Sequence, residues 1–157
     1  MGPQPDSQQA LARAYRLLAH RPRSGAEIRL HLRSAGFGEA LVEDVLRTLT
    51  TRGFIDDRAF ARAWTESRMA FRPRARRLIV KELTDKGVAE EIANEVTGDI
   101  DDEPVALAIA ARRASALKEL DRASFIRRLS RYLSSRGFDY GTVAHAVRAV
   151  CGDDDHS

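Results

Sequence analysis

Three segments of this chain share one pattern: LRSAGF at residues 32–37, LTDKGV at 83–88 and LSSRGF at 133–138. In each segment a leucine stands four residues before a glycine, and an apolar residue follows the glycine. The three glycines are 51 and 50 residues apart: Gly36, Gly87 and Gly137. A glycine in this position is typical of the left-handed residue that ends a helix, with the next apolar residue folding back onto that helix. The segments therefore predict three helix–turn–helix pairs at a period of about fifty residues.

Apolar residues at helical spacing extend this pattern to nine helices, and no alternating segment is long enough for a strand. The first three helices are predicted at Ser7 to His20, from Ser24 with a capping box to Glu27, and at Glu39 to Arg52. The next three begin after the N-cap Asp56 with Phe60, Trp64 and Phe71 on the buried side, at Pro73, and at Glu90. The last three begin with Pro104 in the first helical position, after Asp121 and after Asp139.

The predicted fold is therefore all-α, an elongated and curved array of three tandem three-helix modules with helix-turn-helix-like repeats. The modules are expected at residues 7–53, 54–98 and 99–151, with an acidic linker at 98–103 and disordered ends at 1–6 and 152–157. A module of about fifty residues is at the lower edge of what can bury a core alone. Neighbouring modules are therefore expected to support one another.

Charge is arranged in blocks along the chain. The formal net charge is only +3, but residues 58–86 and 112–148 each carry nine basic and three acidic side chains. Residues 90–103 between them carry seven carboxylates and no base. The basic residues are 23 arginines and three lysines, a bias that fits either bidentate recognition of anions or the base composition of the genome. The blocks favour a strongly charged partner over a neutral small molecule.

Motifs for catalysis or metal binding are absent from the sequence. The four histidines do not pair at ligand or triad spacing, and the single cysteine, Cys151, cannot form an intramolecular disulfide. Asp56 and Asp57 open a helix, where carboxylates cap free N–H groups, so capping is favoured over an acid–base or metal site. Trp64 lies four residues after Phe60 and is interpreted as core, not as a base-stacking platform. The sequence predicts no enzyme, no cofactor and no metal site.

Two groups of basic residues are the candidates for binding a partner or DNA. The first follows the fourth helix and continues along the fifth: Arg72, Arg74, Arg76, Arg77, Lys81 and Lys86. Arg74, Arg77 and Lys81 are predicted to form one outward stripe of the fifth helix. The second group lies in the third module: Arg127, Arg128, Arg131 and Arg136. Two basic helices in equivalent repeats fit a phosphate backbone or an acidic protein groove. A solvated face balanced by Glu82 and Asp85 fits the first group equally well.

The sequence resembles the RecX family, small bacterial proteins that modulate the RecA recombinase. The resemblance rests on GFIDDRAFA at 53–61, which includes Asp56, Asp57 and Phe60, on KELTDKGV at 81–88, and on RGF at 136–138. It spans roughly residues 10–150. It implies an all-helical protein of three three-helix modules that lies in the groove of the RecA–DNA filament. Its implied effect is to inhibit RecA ATPase, strand exchange and coprotease activity in recombination, DNA repair and the SOS response.

The resemblance implies a RecA filament as partner, with single- or double-stranded DNA as a second one. The alternative is a helix-turn-helix transcription factor, because paired helices joined by a short glycine turn are also typical of that class. A transcription factor should prefer one duplex sequence, whereas a filament modulator should not. We expect a monomer with no membrane partner, and a cytoplasmic location, because residues 1–6 lack the basic and apolar pattern of a secretory signal.

Overall fold

The computed structural model describes residues 5–152. Residues 1–4 and 153–157, most of the two segments predicted to be disordered, lie outside that range. The described residues form nine α-helices and no strand, which confirms the all-α prediction. The helices are α1 Pro5–His20, α2 Gly25–Ser34, α3 Glu39–Thr51, α4 Asp57–Phe71, α5 Arg76–Asp85, α6 Glu90–Val96, α7 Asp102–Leu117, α8 Arg122–Ser135 and α9 Tyr140–Cys151.

The three repeat glycines end their helices as predicted. Their φ angles are +95° at Gly36, +84° at Gly87 and +90° at Gly137. After Gly36, the Phe37 N–H donates to the Leu32 carbonyl at 3.2 Å, while the Gly36 N–H donates to the Arg33 carbonyl at 3.0 Å. This is the pair of bonds of a Schellman turn. The same turn ends α3, where Gly53 has a φ of +77°.

The predicted N-caps are also present. The Ser24 hydroxyl accepts from the Glu27 N–H at 3.2 Å, and the Asp56 carboxylate accepts from the Ala59 N–H at 3.1 Å. Asp121 and Asp139 cap α8 and α9 through the N–H groups three residues further on. The Glu27 carboxylate, the other half of the predicted capping box, accepts from Arg21 at 2.7 Å. Local hydrogen bonding therefore fixes these helix starts.

Three helix starts and one buried residue differ from the prediction. The helix α1 begins at Pro5, so residues 5 and 6, which were predicted to be disordered, are helical. The helix α5 begins at Arg76, three residues after Pro73, with the Ala75 carbonyl accepting from the Ile79 N–H at 3.3 Å. The N–H groups of Ala75 and Arg76, which have no acceptor within the helix, donate to distant residues. The helix α7 begins at Asp102, where Asp101 is the N-cap. Pro104 is therefore its third residue, still within the first turn, where a missing N–H costs no helical bond. Phe71 was predicted to be buried but is 83% exposed.

The chain forms two compact units. Unit 1 holds residues up to 64 together with 82–96, and unit 2 holds residues 65–81 together with the chain from 97 onward. The helices α4 and α5 therefore contribute to both units, while the three-module boundaries stay a prediction. In unit 1, α1 to α3 enclose a core that includes Ile28, Leu32 and Leu49. In unit 2, α7 to α9 enclose a core that includes Leu129, Leu133 and Phe138.

Candidate partner-binding surface

Two of the segments singled out in the sequence meet at the start of α2, in unit 1. The Gly25 N–H donates to Asp57 Oδ1 at 2.9 Å, and Asp57 is the first residue of α4. The Ser24 hydroxyl donates to the Lys86 carbonyl at 2.6 Å, beside the turn at Gly87. Ser24 is fully buried and both donates and accepts. We call this set of contacts the first joint, and it gives Asp57 and Gly87 structural roles.

The first joint is closely packed. A Cβ added to Gly87 would lie 2.1 Å from the Cβ of Ala26, the second residue of α2. The Lys86 ammonium lies 4.7 Å from the centroid of the Trp64 ring and 3.9 Å from Glu27 Oε1. Trp64, interpreted as core from the sequence, is half-buried and stacks on the buried Phe60. Lys86, a candidate for partner binding, is therefore half-buried and held inside unit 1.

The same arrangement recurs at the start of α5, in unit 2. The Arg76 N–H donates to Asp102 Oδ1 at 2.9 Å, and Asp102 is the first residue of α7. The Ala75 N–H donates to the Arg136 carbonyl at 2.9 Å, beside the turn at Gly137. A Cβ added to Gly137 would lie 3.0 Å from the Cβ of Leu78. We call this the second joint. Gly25 and Arg76 are 51 residues apart, so the repeat extends to the contacts that join helices.

The second joint occupies two of the candidate arginines. The Arg77 guanidinium donates through Nε to the Gly137 carbonyl, and Arg76 Nε donates to Thr97 Oγ1 at 3.1 Å. Arg77 also contributes to lowering the pKa of the Asp139 carboxyl, after the larger effect of the Thr142 N–H that this carboxylate accepts. Substituting Arg76 or Arg77 would therefore remove a hydrogen bond within unit 2 as well as a charge.

The predicted stripe of Arg74, Arg77 and Lys81 along one helix is wrong for its first member. Arg74 precedes α5 and is half-buried, and its Nε donates to the Arg72 carbonyl at 2.9 Å. The reason is the later start of α5, which leaves Arg74 in the connection between α4 and α5. Arg77 and Lys81 are exposed on α5 itself, and Arg72 is exposed in the connection before it.

The second candidate group keeps three exposed members. Arg127, Arg128 and Arg131 lie exposed on α8, and within residues 5–152 their one side-chain bond joins Arg127 to Ser124 at 3.3 Å. Arg136 is half-buried: its guanidinium lies 5.1 Å from the centroid of the Tyr132 ring and donates to the Tyr132 hydroxyl at 3.0 Å. The exposed arginines of α8 are thus the part of this group that remains open to a partner.

The sequence prediction omitted Arg112 and Arg113, which lie exposed on α7. Together with Arg72 and Arg136 they line a cavity of about 570 Å³ in unit 2, which we call the arginine-rimmed groove. The signal in the sequence was weak, because the two residues belong to a long basic block and only the fold brings them to Arg72 and Arg136. Within residues 5–152 there is no cluster of three or more histidine, cysteine or acidic side chains that could hold a metal ion.

Repeated helix pairs closed by glycine turns, joined at equivalent contacts, define a protein of tandem three-helix modules. The family models of RecX match the chain in order: the first three-helix domain over residues 10–49 and the second three-helix domain over residues 56–96. The chain belongs to the RecX family. This confirms the resemblance drawn from the sequence.

Relatives agree with this assignment, and a solved structure shares the fold. The regulatory protein RecX of Streptomyces coelicolor is 35% identical over 93% of this chain and 79% of its own. That of Pelodictyon phaeoclathratiforme is 33% identical over 93% of both chains. The crystal structure of RecX from Lactobacillus salivarius matches the fold with a TM-score of 0.80 at 18% identity, over 93% of this chain and 97% of its own. None of the helices within residues 5–152 is long and apolar enough to cross a membrane.

Proposed function

We propose that this protein is a non-enzymatic regulator that binds the RecA filament on DNA and lowers its ATP hydrolysis, strand exchange and coprotease activity. The observation that carries the proposal is membership of the RecX family, whose relatives are named as regulatory proteins. Lower RecA activity would tune recombination, DNA repair and the SOS response in the cytoplasm.

The exposed arginines of α8 are the proposed contact surface. Arg127, Arg128 and Arg131 lie on one short stretch of helix, and a row of guanidinium groups suits either the phosphates of filament DNA or carboxylates on the recombinase. Arg76 and Arg77 are not substituted in the test, because their side chains make hydrogen bonds within unit 2. Binding along the filament would restrict the protomer movements that accompany ATP turnover, and it would block entry of a second DNA.

The test is co-sedimentation with RecA filaments assembled on single-stranded DNA with a slowly hydrolysed ATP analogue. We expect the triple variant R127E/R128E/R131E to keep the melting temperature of the parent, because exposed substitutions usually change stability by less than about 0.5 kcal/mol. We expect its filament binding to weaken at least about tenfold, with a shallower salt dependence, because three charge contacts are lost.

The matched control is R13E/R16E/R62E, which reverses three exposed arginines in unit 1. Both triple variants change the net charge equally, so a general charge effect would weaken the filament binding of both to the same extent. Equal binding by the α8 variant and the parent would remove α8 from the contact surface. Strong preference of the protein for one duplex sequence, without RecA, would favour the transcription-factor alternative instead.

A further inference from the structure

The arginine-rimmed groove has an apolar floor. Val105, Ala108 and Ile109 recur on one face of α7, and they line the groove together with Met69 from the end of α4. Phe71 stands at its edge with 83% of its surface exposed. The exposed phenylalanine and the aliphatic side chains together present a continuous apolar lining to a partner. The volume of the groove, about 570 Å³, is in the range of sites that bind ligands.

The rim carries one sign of charge. Four arginines line the groove, and none of the described residues that line it is acidic. Arg72 and Arg112 are exposed, and neither side chain makes a hydrogen bond or an ion pair with any residue in the described range. Two guanidinium groups without a carboxylate partner, above an apolar floor, are complementary to a ligand that carries both negative charge and an apolar side chain.

The aromatic ring within the groove is already covered. The guanidinium carbons of Arg113 and Arg136 lie 4.6 and 5.1 Å from the centroid of Tyr132. Cation–π contacts of this kind occupy the ring face on which a nucleobase would stack. A phosphate backbone would satisfy the arginines but would leave the aliphatic floor without a partner. The observations therefore favour a peptide over a nucleic acid.

We propose that the arginine-rimmed groove binds an acidic, amphipathic segment of a partner protein. Carboxylates of the segment would pair with Arg72 and Arg112, and a leucine or phenylalanine side chain would cover Ala108 and Ile109 beside Phe71. This is recognition of a segment in a groove by apolar anchors with charged residues at the rim. The proposal does not depend on which protein supplies the segment, and so it stands apart from the RecA proposal.

The test uses fluorescence anisotropy with a labelled synthetic peptide of about three helical turns that has Asp and Glu on one face and Leu and Phe on the other. A second peptide replaces each acid by its amide, and labelled oligothymidylate is the nucleic-acid probe. The variant R72A/R112A removes the two unpaired cations. The control K118A/R148A removes two exposed cations of the same unit that do not line the groove.

We expect the acidic peptide to bind the parent, and R72A/R112A to weaken that binding at least about tenfold. The control should stay within about twofold of the parent, and the amide peptide should bind far more weakly. Ala108→Trp fills the floor without a change of charge and should also abolish binding. Phe71→Ser is a second apolar test at a side chain that is almost wholly exposed, which keeps the proposal testable if Ala108→Trp does not fold.

Three results would overturn the proposal. These are no binding of the acidic peptide by the parent, equal loss in the control and in R72A/R112A, or tighter binding of oligothymidylate that Ala108→Trp blocks. The RecA ATPase of the same preparations is measured in parallel. If the parent inhibits the RecA ATPase but does not bind the acidic peptide, the groove proposal is wrong while the proposed function is supported.

Discussion

Gly87→Ala is the substitution that tests the first joint most sharply. Gly87 has a φ of +84°, and its missing Cβ would lie 2.1 Å from the Cβ of Ala26. Two costs therefore add. A left-handed alanine costs about 1–2 kcal/mol, and insertion of a methyl group into a closely packed contact costs typically about 1–3 kcal/mol. We expect Gly87→Ala to lower the free energy of unfolding by about 2–5 kcal/mol.

Gly36→Ala is the matched control in the same unit. Gly36 has a φ of +95° and ends its helix in the same turn, but a Cβ there would meet nothing within 4 Å. Gly36→Ala should therefore lower the free energy of unfolding only by the cost of a left-handed alanine, about 1–2 kcal/mol. The difference between the two variants isolates the contact with Ala26 from the strain of the backbone.

The assay is urea unfolding followed by the fluorescence of Trp64, which is the single tryptophan and lies in unit 1. The methyl group introduced by Gly87→Ala would clash with the Cβ of Ala26, and the double variant A26G/G87A lacks that Cβ. The free energies of unfolding of the two substitutions should therefore couple favourably by about 1–3 kcal/mol. Equal losses for Gly87→Ala and Gly36→Ala, with no coupling to Ala26→Gly, would refute the close approach of α2 to the turn at Gly87.

The second joint and the helix caps give two further predictions. Asp102→Ala should destabilise unit 2 by about 1–3 kcal/mol, because the Arg76 N–H loses its acceptor, and urea unfolding followed by circular dichroism measures this loss; no loss would mean that the bond is not needed. The pKa of Asp121 is lowered by its hydrogen bond from the Ser124 hydroxyl, and that of Asp139 by the Thr142 N–H. Their stabilisation is present above the unfolded pKa and is lost as the pH falls through the folded pKa. The variant D121N/D139N should therefore lose less stability than the parent between about pH 5 and pH 3 in thermal melts, and an unchanged pH profile would contradict this.

Features set by neighbouring residues were predictable from the sequence. The glycine turns at Gly36, Gly87 and Gly137 follow from a left-handed conformation that favours glycine, and the caps at Asp121 and Asp139 follow from hydrogen bonds within one helical turn. The all-α class follows because the apolar residues keep helical spacing throughout. These are local causes, and the structure confirms them.

Features set by distant residues were not predictable. The N–H groups at the start of α5 donate to Asp102 and Arg136, which are 26 and 61 residues away in the sequence. Residue spacing alone therefore could not show that Arg74 lies outside α5 and outside the predicted stripe. The charge of Arg77 suggested a partner, but its guanidinium donates to the Gly137 carbonyl. Arg112 was not predicted, because only the fold brings α7 and Arg72 to the same groove.

Regulation of RecA is tested by the rate of RecA ATP hydrolysis on single-stranded DNA as the protein is titrated. We expect the rate to fall as the protein rises from substoichiometric to equimolar amounts, and R127E/R128E/R131E to shift the curve to higher concentration while R13E/R16E/R62E does not. An unchanged rate of ATP hydrolysis in a large excess of the parent protein would exclude the proposed regulation.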